Sequence, residues 1–187
     1  GDKGYKLTEE KGIPLVIMEP IKGGSLAKLP QDIVDIFKEA NPNVSTSSWA
    51  LRWVASHPNV KVILSGMSTM DQVVDNVNTF STLATLNDEE NAIVEQVAND
   101  IHSRIKVGCT ACAYCVDDCP KNIAIPDYFK LYNRFKQLQG TTEKWDKMRY
   151  AKKAEERGKA SDCIECGLCE GHCPQHLEIR KHLKDVA

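Results

Sequence analysis

Apolar positions in the first hundred residues switch between two spacings, and the switch predicts strands alternating with helices. Pro14-Leu15-Val16-Ile17-Met18 is a short unbroken apolar run, the pattern of a parallel strand covered on both faces. Lys22-Gly23-Gly24-Ser25 ends it. From Asp32 to Ala40, Ile33, Val34, Ile36 and Phe37 recur at helical spacing until Asn41-Pro42-Asn43 stops them. Ser45 to Ser48 offer a cap for a second helix carrying Trp49, Leu51, Trp53 and Val54, closed by His57-Pro58-Asn59. Val60 to Leu64 reads as the next strand, and Ser65-Gly66 closes it. Thr69-Met70-Asp71-Gln72 has capping-box spacing and opens a helix expected to turn Val73, Val74, Val77 and Phe80 inward. Asn87-Asp88-Glu89-Glu90 starts a longer helix with Ile93, Val94, Val97, Ile101 and Ile105 along its apolar face. This alternation predicts βα units with a parallel sheet. Two parallel strands alone do not make a core, so the remaining strands are expected from further residues or from a partner chain. The opening Gly1-Asp2-Lys3-Gly4, without an initiating Met, reads the same way, as the start of a fragment or of a processed chain.

From about Val107 the strand pattern disappears, apart from Ile123-Ala124-Ile125. Asp127 is expected to cap a helix with Tyr128, Phe129, Leu131, Tyr132 and Phe135. Gly140-Thr141-Thr142 breaks it and starts another through Trp145, Met148 and Tyr150 to Arg157-Gly158, and a last helix is expected over Leu177 to Val186. The division predicted is an α/β part at 1–106 and an α-helical part at 107–187.

The second part carries all eight cysteines of the chain. Cys109, Cys112, Cys115 and Cys119-Pro120 form a C-x2-C-x2-C-x3-C-P run, and Cys163, Cys166, Cys169 and Cys173-Pro174 repeat it. That doubled spacing predicts two [4Fe–4S] clusters, because three close thiolates cap one cubane while the fourth ligates its neighbour. The ligand sets expected are Cys109, Cys112, Cys115 and Cys173 for one cluster, and Cys163, Cys166, Cys169 and Cys119 for the other. A disulfide framework belongs to short secreted chains, and no signal-peptide pattern opens this one. Zinc sites pair separated C-x2-C units and do not use runs of three followed by Cys-Pro. Inert buried cysteines have no reason to repeat in register. The 43 residues between the arrays are too many for a compact β-hairpin ferredoxin and suit an all-helical one.

Charge narrows the partners. The net charge of −2 gives no global field toward nucleic acid or membrane. The longest apolar runs are far too short to span a bilayer. Thiolates that must stay reduced predict a cytoplasmic setting. Residues 121–160 hold 11 Lys or Arg against 5 Asp or Glu. That stretch reads either as a dock for an acidic electron carrier or as a solvated helical hairpin offsetting cluster charge.

Two resemblances follow from these residues. The cysteine region, with Cys173-Pro174-Gln175-His176-Leu177-Glu178-Ile179, resembles the α-helical ferredoxin domains of respiratory and heterodisulfide-reductase-type iron–sulfur subunits. The segment from Gly12 to Phe80 resembles the last third of an aldo/keto reductase. There Ile17-Met18-Glu19-Pro20-Ile21-Lys22-Gly23-Gly24 stands at the seventh barrel strand and its loop. Trp49-Ala50-Leu51-Arg52-Trp53 stands on the following helix, and Leu64 to Asn76 at the eighth strand and the nucleotide-binding helix start. Order, spacing and the two-cluster tail together resemble the iron–sulfur aldo/keto reductases of bacteria and archaea, over nearly the whole chain.

The resemblance implies the last βα units of a (β/α)8 TIM barrel, with a nicotinamide dinucleotide, NAD(P), at its C-terminal face. It implies nucleotide contacts from Gly23, Gly24, Ser25, Gly66, Ser68, Gln72 and Asn76. Gly66 and Gln72 stand where NADPH-preferring members often carry Lys and Arg, and Met18 where many stack an aromatic ring. NADH and NADPH therefore both remain open. The family's Asp, Tyr, Lys and His catalytic group belongs to the first half of the barrel, so no catalytic residue is expected in this chain. His57, His102, His172, His176 and His182 read as surface or helix residues. The function implied is an iron–sulfur oxidoreductase passing electrons between a ferredoxin- or flavoprotein-type carrier and a barrel-bound nucleotide or small carbonyl substrate. The alternatives are a non-catalytic electron-transfer subunit of a larger redox complex, and clusters acting only as staples for a small helical domain.

Overall fold

The computed structural model describes residues 2–81 and 85–187 and divides them into two units, one ending at Asn99 and the other running from Asp100 to Ala187. In the first unit, helix α1 (Asp2–Glu10) leads into strand β1 (Leu15–Ile17). Helices α2 (Gln31–Ala40) and α3 (Thr46–Ala55) follow, then strand β2 (Val60–Ile63) and helix α4 (Met70–Ser81). Helix α5 (Asp88–Ser103) runs across the division. Strands β1 and β2 pair in parallel, with Leu15 opposite Val60, Val16 opposite Val62, and an irregularity between Leu15 and Val16. Parallel pairing requires a long crossover, which α2 and α3 provide.

The core of this unit lies between its helices. Ile33, Phe37, Trp49, Leu51, Val54 and Val97 are buried, and the Phe37 and Trp49 rings stack with centroids 5.0 Å apart. Ser45 caps α3 by accepting from the Ser48 amide at 3.0 Å. Its hydroxyl also donates to Asp75 of α4 at 2.7 Å. Arg52 and Glu90 form a two-pronged ion pair, both contacts 2.8 Å, that ties α3 to the start of α5. The Arg52 guanidinium holds the Glu90 carboxyl below the usual carboxylate range, against a smaller opposing effect of burial. Asn87 caps α5, its side chain accepting from the Glu90 amide while Glu90 accepts from the Asn87 amide.

Two expectations are corrected here. The strand residues are not covered on both faces: Val16, Met18, Val62 and Leu64 are exposed. Likewise Val74, Val77 and Phe80 of α4 face outward, while Thr79 is buried with its hydroxyl donating to Ser48 at 2.9 Å. The reason is the same in both places. Apolar faces patterned for burial have no second layer among the described residues, so α4 is held by its polar edge instead.

The second unit is helical: α6 (Ile125–Gln137), α7 (Glu143–Glu156), the single turn α8 (Leu168–Gly171) and α9 (Ile179–Val186). Its core comprises Val107, Ile123, Ile125, Tyr128, Phe129, Ile179 and Leu183, with Cys115 and Cys169. Asp127 does not cap α6. Ala124 occupies the cap position and Pro126 the first turn, where its missing amide donor is no loss. Ile123 bridges to Gly158 in parallel fashion, and the Gly158 carbonyl accepts from the Tyr128 hydroxyl at 2.9 Å. Burial, then the neighbouring Tyr150, pushes the Tyr128 phenol up to about 12, which keeps it a donor.

A Cβ on Gly158 would run into the Lys121 carbonyl oxygen and meet Ile123 Cγ1 at 3.2 Å. Gly158→Ala is therefore expected to destabilise this unit by about 1–3 kcal/mol, the usual range for forced overpacking. Chemical denaturation followed by helicity reads it, and an unchanged midpoint would contradict the close approach.

Candidate functional site

Two hollows in the second unit are lined by thiols. One is walled by Cys109, Cys112, Cys115 and Cys173, with Thr110, Ala113, Pro126, Phe129, Gln175, Leu177 and Ile179 among its other residues. The second is walled by Cys119, Cys163, Cys166 and Cys169, with Lys121, Ile123, Ile164, Gly167, Arg180 and Leu183. Each has about 320 Å³ of empty space, part of it open to solvent, and Ile125 faces both. Each hollow thus takes three thiols from one array and the outlying thiol from the other.

The two walls are copies of one another at an offset of 54 residues, the separation of Cys109 from Cys163. The offset carries Thr110 to Ile164, Ala113 to Gly167, Pro126 to Arg180, Phe129 to Leu183, Lys121 to Gln175 and Ile123 to Leu177. The backbone repeats as well. Left-handed φ values occur at Ala111 (57°) and Glu165 (58°), at Ala113 (67°) and Gly167 (80°), and at Asn122 (50°) and His176 (51°). Equivalent turns close with equivalent bonds: Val116 to Ala113 at 3.0 Å and Glu170 to Gly167 at 3.1 Å, then Asn122 to Cys119 at 2.8 Å and His176 to Cys173 at 3.0 Å. Left-handed residues turn the chain back on itself, so the thiols of one loop face a common space.

Helices α6 and α9 are the equivalent elements that follow each array, and they pack together. Asp118 and His172 are equivalent positions too, and they contact each other at 3.0 Å. Asn133 of α6 steers the chain into the first array: its carbonyl accepts from the Lys106 and Val107 amides and its amide donates to Val107 at 2.7 Å. The spacing of the cysteines does not by itself place Asn133, Phe129, Ile123, Leu183 or Arg180 at the site. Extending the repeat to Phe129 and Leu183, each ten residues beyond the outlying cysteine, brings in all of them but Asn133.

The donor set fits iron–sulfur clusters. Among the described residues, no three His, Cys, Asp or Glu side chains converge on a point suited to a single metal ion. The thiols surround a space instead. Burial pushes the equivalent Cys115 and Cys169 thiols up to about 11, so burial opposes a thiolate there and a bound cationic metal would favour one. The amides of Ala111 and Ile123 point at Cys109 Sγ and Cys119 Sγ, at 3.4 and 3.5 Å.

The candidate nucleotide residues lie in the first unit, on the loops that follow β1 and β2 and, for Gln72 and Asn76, on α4. Gly23 and Gly24 adopt φ of 61° and 86° beside open space. Ser25 is buried and donates to the Lys22 carbonyl at 2.6 Å. After β2, the Ser68 amide donates to the Gln72 side chain at 2.7 Å, and the Asn76 amide donates to Ser65 at 2.9 Å. Gly66 again faces open space. Gln72 and Asn76, one turn apart on α4, therefore brace the loop that carries Ser65 and Ser68.

A family model described as a 4Fe-4S dicluster domain matches residues 108–178. With the thiol-lined hollows, it makes this chain an iron–sulfur oxidoreductase. The Aldo/keto reductase family model matches residues 3–99, slightly more than half of the chain, and the chain belongs to that family. No curated protein and no solved structure matches it. Among the described residues, no helix is long and apolar enough to cross a membrane.

Proposed function

We propose that the chain holds two [4Fe–4S] clusters and relays single electrons between an external carrier and a nicotinamide dinucleotide or carbonyl substrate on a (β/α)8 barrel. Residues 1–106 would form the last βα units of that barrel and residues 107–187 the cluster domain. Cys109, Cys112, Cys115 and Cys173 would hold one cluster, and Cys163, Cys166, Cys169 and Cys119 the other. The observation that carries this reading is the lining of each hollow by three thiols from one array and one from the other. When bound, each cluster supplies one-electron chemistry; the chain supplies thiolates, amide donors and an apolar wall.

The exposed faces of β1 and β2 support the barrel half of the proposal, since Val16 and Val62 are patterned for cover by further βα units. Gly23, Gly24, Ser25, Gly66, Ser68, Gln72 and Asn76 would meet the nucleotide, with open space beside the three glycines for a close backbone approach. No residue here is assigned a catalytic role. The family's acid–base group would come from other barrel residues, on a longer chain or a partner. The surplus of Lys and Arg on α6 and α7 suits an acidic one-electron carrier, and thiols kept reduced suit a cytoplasmic setting.

Anaerobic reconstitution should give about eight irons and eight labile sulfides per chain. Reduced by a one-electron donor, the polypeptide should show cluster redox changes but no sustained carbonyl reduction with NADH or NADPH. Robust turnover by this polypeptide alone would overturn the assignment of catalysis to residues outside it. The same exposed strand faces also favour a second reading, an electron-transfer subunit docked on a larger redox protein. Purification with a stoichiometric partner that lacks a βα barrel would select it.

A further inference from the structure

The two hollows repeat each other in backbone and in thiols, but not in charge. The position equivalent to Pro126 is Arg180, the position equivalent to Val116 is Glu170, and the position equivalent to Gln175 is Lys121. Two of these departures, Arg180 and Lys121, line the hollow of Cys119, Cys163, Cys166 and Cys169, and the third, Glu170, binds Arg180 from behind. Its wall includes Arg180 and Lys121, whereas the other wall carries no charged side chain. Glu170 clamps Arg180 in place. One carboxylate oxygen accepts from the Arg180 backbone amide at 2.9 Å, and the other takes Nε at 3.0 Å and Nη2 at 2.8 Å. A Cβ on Gly167 would sit 3.8 Å from Arg180 Cζ, so the guanidinium lies over the cysteine loop. Glu170 itself is not part of the wall, which leaves the cationic end of the pair toward the thiols.

We propose that Arg180, positioned by Glu170 and assisted by Lys121, makes the cluster in its hollow the more easily reduced of the two. The inference rests on the two-cluster reading above and adds an internal direction to it. Adding one electron, drawn from an external one-electron donor, makes a thiolate-ligated cluster more negative by one charge. A fixed cation beside it stabilises that reduced form, and nearby charge is one of the factors that set cluster potentials. The uncharged hollow offers no such compensation. Asp118, next to Cys119, and His172, next to Cys173, contact each other at 3.0 Å, and neither lines a hollow. An electron entering the domain therefore comes to rest in the Arg180 hollow, and the cluster held by Cys109, Cys112, Cys115 and Cys173 is the lower-potential relay. The Arg180 and Glu170 side chains are 43% and 23% exposed, so solvent screening keeps the effect moderate.

The test is a mediated redox titration of the reconstituted chain with dithionite, followed by electron paramagnetic resonance, after iron has been counted. The unaltered protein should show two separate one-electron steps. Arg180→Leu should lower the upper step by about tenfold in reduced-to-oxidised ratio, or about 59 mV for one electron, and leave the other in place. Glu170→Gln should raise that same step, and Arg180→Lys should stay near the unaltered value. Gln175→Lys, which adds the missing cation to the other hollow, should raise the lower step. If Arg180→Leu does not retain iron, Glu170→Gln and Gln175→Lys still decide the matter. Coincident steps in the unaltered protein, or steps that ignore these charges or move together, would overturn the proposal. An iron count of about four in the unaltered chain would instead remove the two-cluster reading on which it rests.

Discussion

Replacing Cys119 and Cys163 together by serine is expected to leave about four irons per chain, whereas replacing Cys109 and Cys119 together should disturb both clusters. The first pair comes from different arrays but lines one hollow. The second pair comes from one array but is split between hollows. If each array instead ligated its own cluster, the outcomes would exchange. Iron and labile sulfide counts, with the visible absorbance of each double variant, therefore separate crossed from uncrossed ligation without an activity assay. The effect is large because each hollow has only four thiols, and Cys115 and Cys169 sit where burial opposes any thiolate not bound to metal.

Phe129→Ala should be the most damaging change that leaves every cysteine in place. Phe129 is fully buried, lines the hollow of Cys109, Cys112, Cys115 and Cys173, and meets the His182 ring edge-on at 5.8 Å. Truncating a buried Phe removes its transfer free energy and leaves a cavity, together about 3–5 kcal/mol. Here the cavity would open between α6 and α9, the helices that carry both arrays' exits. Thermal bleaching of cluster absorbance should start at a clearly lower temperature, with one cluster lost ahead of the other. Bleaching that matches the unaltered protein would mean that the α6–α9 contact does not hold the cluster loops.

Much of the cluster site was legible beforehand because thiol spacing is local chemistry. Three cysteines two residues apart can wrap only a nearby object, and a trailing Cys-Pro marks the departure of the fourth. The helices of the first unit were legible for a similar reason: Ser45 and Asn87 cap where their side chains reach the third amide onward. Asp127 was misplaced as a cap because Pro126, tolerated only in a first turn, shifted the start of α6 upstream. Val74, Val77 and Phe80 were misassigned because periodicity says which residues share a face, not whether anything covers it. The full extent of the repeat was present in the chain but hidden, since its copies differ in side chain and agree chiefly in backbone.

By itself the amino-acid order determined the ligand chemistry, the number of thiols and the alternation of βα units, because each depends on residues close together along the chain. Tertiary packing decided what the order left open: that Arg180 and Lys121 belong to one hollow, and that the sheet faces stay exposed. The first depends on how α6 and α9 bring together segments 54 residues apart, and the second on whether another layer covers β1 and β2, and no local spacing specifies either.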